Sequence, residues 1–185
     1  MATAVEPALL TVEEFAQLPD PGYPTELVKG RVVALPLPTP RHGQICLRVG
    51  RLIGNHAEAA DLGHVVGNDS GLVTARGPDT LRGADVAFYP FTLVPRGPLP
   101  GGYLTVVPTL VFEVLSPEDR WARVLLKVAE YLDAGVAIVV VLDPKTSRAS
   151  VFRPEGRIED LGPEDEFSAP DVLGEFRVVV GRFFG

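Results

Sequence analysis

Leu110-Val111-Phe112-Glu113-Val114-Leu115 is followed directly by Ser116-Pro117-Glu118-Asp119. An apolar run with one carboxylate inside it leads into a proline-marked turn. The run predicts a buried strand from Val106 to Leu115, with Pro108 near its start, where a missing N–H is tolerable. Ser116 then has the chemistry of an N-cap and Pro117 of a first helical residue, so a helix is expected to run from there to the stop at Ala134-Gly135. Stripping water from a lone buried carboxylate costs several kcal/mol or more, so Glu113 has to be neutralised, paired or bound to a metal.

A second misplaced acid lies upstream, in Gly83-Ala84-Asp85-Val86-Ala87-Phe88-Tyr89. Alternate strand residues share a face, which puts Asp85 with Ala87 and Tyr89, and Glu113 with Val111 and Leu115. On neighbouring strands ~4.8 Å apart, the two carboxylates reach one divalent cation with oxygen distances of ~2.1 Å. Without the cation they repel, and one tends to hold a proton. On the following helix Val124, Val128 and Tyr131 form the buried stripe, and Lys127 lies about 60° to one side. From there its stem can cross apolar surface and bring the ammonium to the carboxylates.

The remaining elements follow from caps, turns and periodicity. Thr11-Val12-Glu13-Glu14-Phe15 is a capping box that opens a short helix. Thr25 to Val33 predicts two short strands turning at Lys29-Gly30, and Leu35 to Pro40 a stiff connector. Ile45, Val49, Leu52, Ile53 and His56 mark one face of a helix from Arg41 to about Ala60, ended by Gly63. Val65 to Thr74, interrupted by Gly67-Asn68-Asp69-Ser70-Gly71, predicts a bent strand or hairpin in which Asp69 is a turn residue. Pro90 to Gly102 is expected to be an irregular loop. Val136 to Leu142 is a strand buried on both faces, and Ala149–Arg153, Gly156–Ile158 and Phe176–Val180 are hairpin strands completing the sheet. The order predicts a single α/β domain with a mixed central sheet flanked by helices. It has an N-terminal helix-hairpin annex (1–40), a core (41–145) and C-terminal hairpin strands (146–185).

Composition narrows the function classes. The chain has 185 residues, 46% hydrophobic and 22% charged, and no apolar run reaches the ~18 residues needed to span a bilayer. Met1 to Pro7 has no basic segment before an apolar one, and a cytoplasmic protein is expected. The single cysteine, Cys46, excludes an internal disulfide and a cysteine-based zinc site. A net charge of −7 argues against a broadly basic nucleic-acid surface, although Arg41, Arg48 and Arg51 recur on one helix as either a basic flank or a solvated face. Dinucleotide, P-loop and G-x-S-x-G motifs are absent.

Taken in order, Glu26-Leu27-Val28-Lys29-Gly30-Arg31, Arg41-His42-Gly43, Gly83-Ala84-Asp85-Val86-Ala87, Phe112 to Asp119, Lys127-Val128-Ala129-Glu130-Tyr131, Gly135-Val136 and Leu142-Asp143-Pro144 resemble the Uma-type putative restriction endonucleases of the PD-(D/E)xK superfamily. The likeness continues to Asp171-Val172-Leu173 and Phe183-Phe184. It implies a restriction-endonuclease-like core holding Mg²⁺ or Mn²⁺, with Asp85, Glu113 and the carbonyl of Val114 as ligands. It also implies that Lys127 replaces a strand lysine, since position 115 holds leucine, and that DNA is the substrate. Ala84 stands where the superfamily's proline would.

Plainer roles stand beside these. Asp85 could end a turn, Glu113 sit in a structural salt bridge, and Lys127 snorkel at the surface. Glu26 is either a third acid at the site or an edge-strand carboxylate. His42 is a core or capping histidine or a site residue, and Trp121 and Tyr131 are core or interface residues. The rivals to an endonuclease are a non-catalytic nuclease-fold module that binds nucleic acid or protein, and a structural oligomerisation domain. Apolar edge strands suit a homodimer.

Overall fold

The computed structural model describes residues 8–185, so the reading of Met1 to Pro7 lies outside the described residues. The sheet is organised around β4 (Thr80–Pro90), which is buried along almost its whole length. Along one edge it pairs antiparallel with β3 (Gly63–Ala75) from Thr80 to Pro90. Its other edge is shared. β1 (Thr25–Val28) meets it at Leu27↔Leu81, and β5 (Leu110–Val114) pairs with Val86 to Phe88.

From β5 the sheet continues parallel to β6 (Ile138–Asp143), then antiparallel to β7 (Arg148–Phe152) and β8 (Ile158–Leu161). β2 (Arg31–Ala34) closes the opposite end beside β1. The β1–β2 turn places Lys29 at φ 50 and Gly30 at φ 74, the two successive left-handed residues that a tight hairpin with the right twist requires. α1 (Val12–Phe15) opens on the expected box, with Thr11 accepting from the Glu14 N–H and Glu14 accepting from the Thr11 N–H.

Helices cover both faces, as a sheet with apolar side chains on each face demands. α2 (Pro40–Ala59) starts with Thr39 as N-cap and Pro40 at the first position, and packs Ile45, Val49 and Ile53 against Val86, Phe88, Phe112 and Val140. α3 (Trp121–Asp133) connects β5 to β6 and packs Val128 and Tyr131 against Ala87, Val111, Val139 and Val141. The rings of Phe167 and Phe183 meet Phe112 edge-on and tilted, with centroids 5.7 and 5.6 Å away, and close the α2 side.

Several boundaries differ from expectation. β5 begins at Leu110, not Val106, because only from there does it pair with β4 and β6 on both sides. α3 begins at Trp121, because the Asp119 carboxylate accepts from the Ser116 N–H (2.7 Å) and folds Ser116–Asp119 into a turn of its own. Of the two readings for segment 65–74, the bent strand is the one formed: Gly67 pairs with Val86 and Ser70 with Ala84, leaving an extra residue as a bulge. Finally β9 (Glu166–Ser168) and β10 (Arg177–Val179), separated by the short α4 (Pro170–Leu173), form a separate two-stranded ribbon and do not extend the main sheet.

Candidate active site

Between Leu81, where β1 pairs, and Val86, where β5 pairs, one edge of β4 has no strand beside it. Buried backbone polar groups need partners, and this notch takes them from side chains. The Gly83 N–H donates to Glu26 Oε1 (2.9 Å), while its carbonyl accepts from Lys127 Nζ (2.8 Å) and the Tyr131 hydroxyl (3.3 Å). The Val114 N–H, at the end of β5, donates to Asp85 Oδ2 (2.6 Å). With Val86 opposite Phe112, continuing the antiparallel register by one residue sets Asp85 opposite Glu113.

The side chains form one charged network. Lys127 Nζ lies 2.8 Å from Glu113 Oε2 and 3.5 Å from Glu26 Oε1, and the Tyr131 hydroxyl donates to Glu113 Oε1 (2.8 Å). Arg82 grips Glu26 through Nη1 (2.8 Å) and Glu130 through Nε and Nη2 (2.6 and 3.0 Å). Burial pushes the Glu113 carboxyl up to about 7; Lys127 pulls against this and the charge of Asp85 adds to it. For Lys127 burial opposes the charge, but Glu113, Glu26 and Asp85 outweigh it and hold the ammonium above its ordinary range. The Tyr131 hydroxyl is raised well above normal by burial and then by Glu113.

On the other side Asp85 faces α2. His42 Nε2 is 3.3 Å from Asp85 Oδ2, and His42 Nδ1 is 3.4 Å from Cys46 Sγ. The hydrogen bond with Asp85 raises the His42 pKa against the effect of burial. Burial, with Asp85, Asp69 and Glu113 adding to it, holds the Cys46 thiol well above its usual range. Asp69 belongs to the β3 bulge, where Asn68 (φ 62) and Asp69 (φ 53) are both left-handed; partial burial and then Asp85 raise its carboxyl. A Cβ on Gly83 would lie 3.0 Å from both the Asp69 Cβ and its carbonyl, so any side chain there would crowd the bulge that glycine lets fold this close. A cleft of about 860 Å³ between α2 and β3 ends on His42, Cys46, Asp69 and Asp85, with Arg48 and Arg51 on its wall.

The structure therefore brings together Asp85, Glu113, Lys127 and Glu26. Glu26 is buried, with one oxygen on Arg82 and the other on the Gly83 N–H, so it meets the cluster through Lys127. Val114 reaches Asp85 through its N–H. His42 joins the cluster, although its backbone also serves the N-cap of α2. His56 and His64 are structural, bonded to the carbonyls of Leu173 and Pro95.

Five participants escaped the sequence reading: Asp69, taken for a turn residue; the Tyr131 hydroxyl, hidden behind a core assignment; Arg82 and its partner Glu130; and Cys46. Asn-Asp beside a predicted metal-binding strand is a usable signal, because these residues tolerate the left-handed backbone of bulges as well as turns.

Two donor sets could hold a metal. Asp85, held by the Val114 N–H and His42, and Glu113, held by Lys127 and Tyr131, are oxygen donors on neighbouring strands; with Glu26 and Glu130 they make four carboxylates against two fixed cations, Arg82 and Lys127. That excess of negative charge, and a Glu113 carboxyl already raised toward neutrality, fit a hard divalent cation. His42, Cys46 and Asp85 form the other set, with one donor atom from each lying within 4.8 Å of the others.

Residues 12–181 match a family model described as Uma2, putative restriction endonuclease. The fold is similar to a crystal structure of a putative nuclease belonging to DUF820 from Anabaena variabilis, with a TM-score of 0.79 at 19% identity over 95% of this chain and 97% of that one. No curated protein matches the chain. Among the described residues no helix is long and apolar enough to cross a membrane.

Proposed function

The chain belongs to the Uma2 family of putative restriction endonucleases, and from that premise we propose that it is a metal-dependent endonuclease hydrolysing the phosphodiester bonds of DNA. Asp85 and Glu113, with the Val114 carbonyl, would hold Mg²⁺ or Mn²⁺. The chemistry such an ion supplies when bound is polarisation of a phosphoryl oxygen and a lowered pKa for its water. Lys127 stays protonated beside two carboxylates, so its role is to orient the attacking water and offset charge growing on the phosphate, not to accept a proton. Glu26 and Arg82 position that amine. Arg48 and Arg51 on the cleft wall suit the flanking phosphates.

The observation that carries the reading is the register Val86↔Phe112, which continued by one residue sets Asp85 opposite Glu113, with Lys127 Nζ 2.8 Å from Glu113. Incubating supercoiled plasmid with Mn²⁺ tests it. Nicking by the wild type, lost in Glu113→Gln and Asp85→Ala, is expected. Nicking by all three proteins alike, or by none, overturns it.

One observation favours a second reading, a catalytically inactive nuclease-fold module that binds nucleic acid or protein. Both Glu113 oxygens already have partners in Lys127 and Tyr131. Such a module would bind DNA without cleaving it, and Asp85→Ala would leave its response to Mn²⁺ unchanged.

A further inference from the structure

We propose that the cleft-facing side of Asp85 is a separate cation position, built from His42, Cys46 and Asp85, that takes a thiophilic ion of the Zn²⁺ class. His42 and Cys46 are four apart on α2, so both project from one face of a rigid helix. Asp85 is fixed opposite them by the Val114 N–H. Taking one ligand atom from each residue, the three lie within 4.8 Å of one another, with His42 between the other two and one of its ring nitrogens free to turn to the ion. Small side-chain rotations bring donors this close to the spacing of a tetrahedral ion with metal bonds of about 2.0–2.3 Å. Sulfur, nitrogen and oxygen together suit Zn²⁺ and its relatives, whereas Mg²⁺ wants an octahedron of oxygens.

A thiolate and a carboxylate balance the two charges of the ion. The proton of the Cys46 thiol leaves to solvent as the sulfur–metal bond forms. The cleft of about 860 Å³ opens onto these residues and gives the ion its way in, and Asp69 lines the same floor. The exclusion of a cysteine-based zinc site drawn from the sequence holds for sites with several thiolates and has to be narrowed here, because this mixed site needs only one sulfur.

Because Asp85 belongs to both donor sets, filling this position withdraws it from Glu113. Thiophilic ions therefore inhibit hard-metal catalysis, a consequence that rests on the nuclease reading; the binding itself does not.

Titration of the full chain with Cd²⁺, followed by the ultraviolet thiolate-to-metal absorption, tests the site, with Zn²⁺ as competitor. One equivalent is expected to raise the band. Cys46→Ser abolishes it, and His42→Asn and Asp85→Asn each weaken affinity by at least about tenfold, with metal-free melting curves showing that the variants fold. No band at one equivalent, or a band that keeps its affinity in both His42→Asn and Asp85→Asn, overturns the proposal by reducing Cys46 to an isolated thiol. In the plasmid assay Zn²⁺ should suppress nicking by the wild type, and should suppress it much less in Cys46→Ser when each protein is compared with its own zinc-free rate. If no protein nicks DNA, the nuclease reading falls, and the Cd²⁺ band still decides the metal site.

Discussion

Replacing Lys127 with methionine keeps most of the stem and removes the charge, which isolates what the ammonium does in the notch. The amine neutralises Glu113 at 2.8 Å, stands 3.5 Å from Glu26 and donates to the Gly83 carbonyl. Removing one partner of a buried pair costs about 3–5 kcal/mol. With Lys127 and Glu113 side chains 22% and 12% exposed, solvent softens the loss, and the lower end applies. About 3 kcal/mol corresponds to a melting temperature lower by roughly 6–12 °C for a domain of this size.

The loss depends on pH, and its sign follows from proton linkage. A carboxyl raised on folding binds its proton in the native state, so its contribution to stability falls as pH rises from the ordinary 4.5 through the folded value. In the wild type that decline ends near the Glu113 value of about 7. Without the ammonium the value moves higher, and the variant keeps losing stability above pH 7 at up to ~1.4 kcal/mol per unit. Urea unfolding of both proteins at pH 6 and pH 8.5 should show a wider gap at the higher pH. Adding Glu113→Gln should close most of that gap while leaving the plasmid uncut. A loss below about 1 kcal/mol, a gap that ignores pH, or a double variant no better than the single one refutes the coupling.

Three further outcomes follow from the same geometry. Apparent Mn²⁺ affinity, measured calorimetrically, should climb by about tenfold per pH unit up to roughly pH 7 and then level off, since the ion has to displace one proton from Glu113. Asp69→Asn keeps a residue that tolerates the bulge but removes a charge that raises His42, so the histidine should titrate at lower pH by proton NMR; an unchanged titration would separate Asp69 from the cluster. Gly83→Ala should lower stability by about 1–3 kcal/mol through its approach to Asp69, read as a shift in urea midpoint.

The parts of this protein legible in its sequence are those set by local patterns. Capping chemistry marked α1, and the Lys29-Gly30 turn marked the first hairpin. Strand parity placed Ala87, Tyr89 and Val111 on one face, and they pack there with α3. What stayed hidden depends on contacts between distant segments. Ser116-Pro117 carries a helix-start signal, but the Asp119 carboxylate captures the Ser116 N–H first and delays α3 to Trp121. The ribbon of β9 and β10 lies apart from the sheet because Phe167 and Phe183 are drawn onto Phe112, a pull that no local pattern encodes. Asp69 was hidden because a left-handed residue in a bulge carries the same signature as one in a turn.

The gap in the edge of β4 ties chemistry to folding in a way that outlasts either one. Glu26, Lys127 and Tyr131 satisfy the backbone of Gly83, and Asp85 that of Val114. A descendant that had abandoned cleavage would be held to the same four residues merely to keep its ladder intact. In such a lineage the retirement of the enzyme would leave almost no trace at these positions. Its signature would have to be sought in residues that the scaffold does not need.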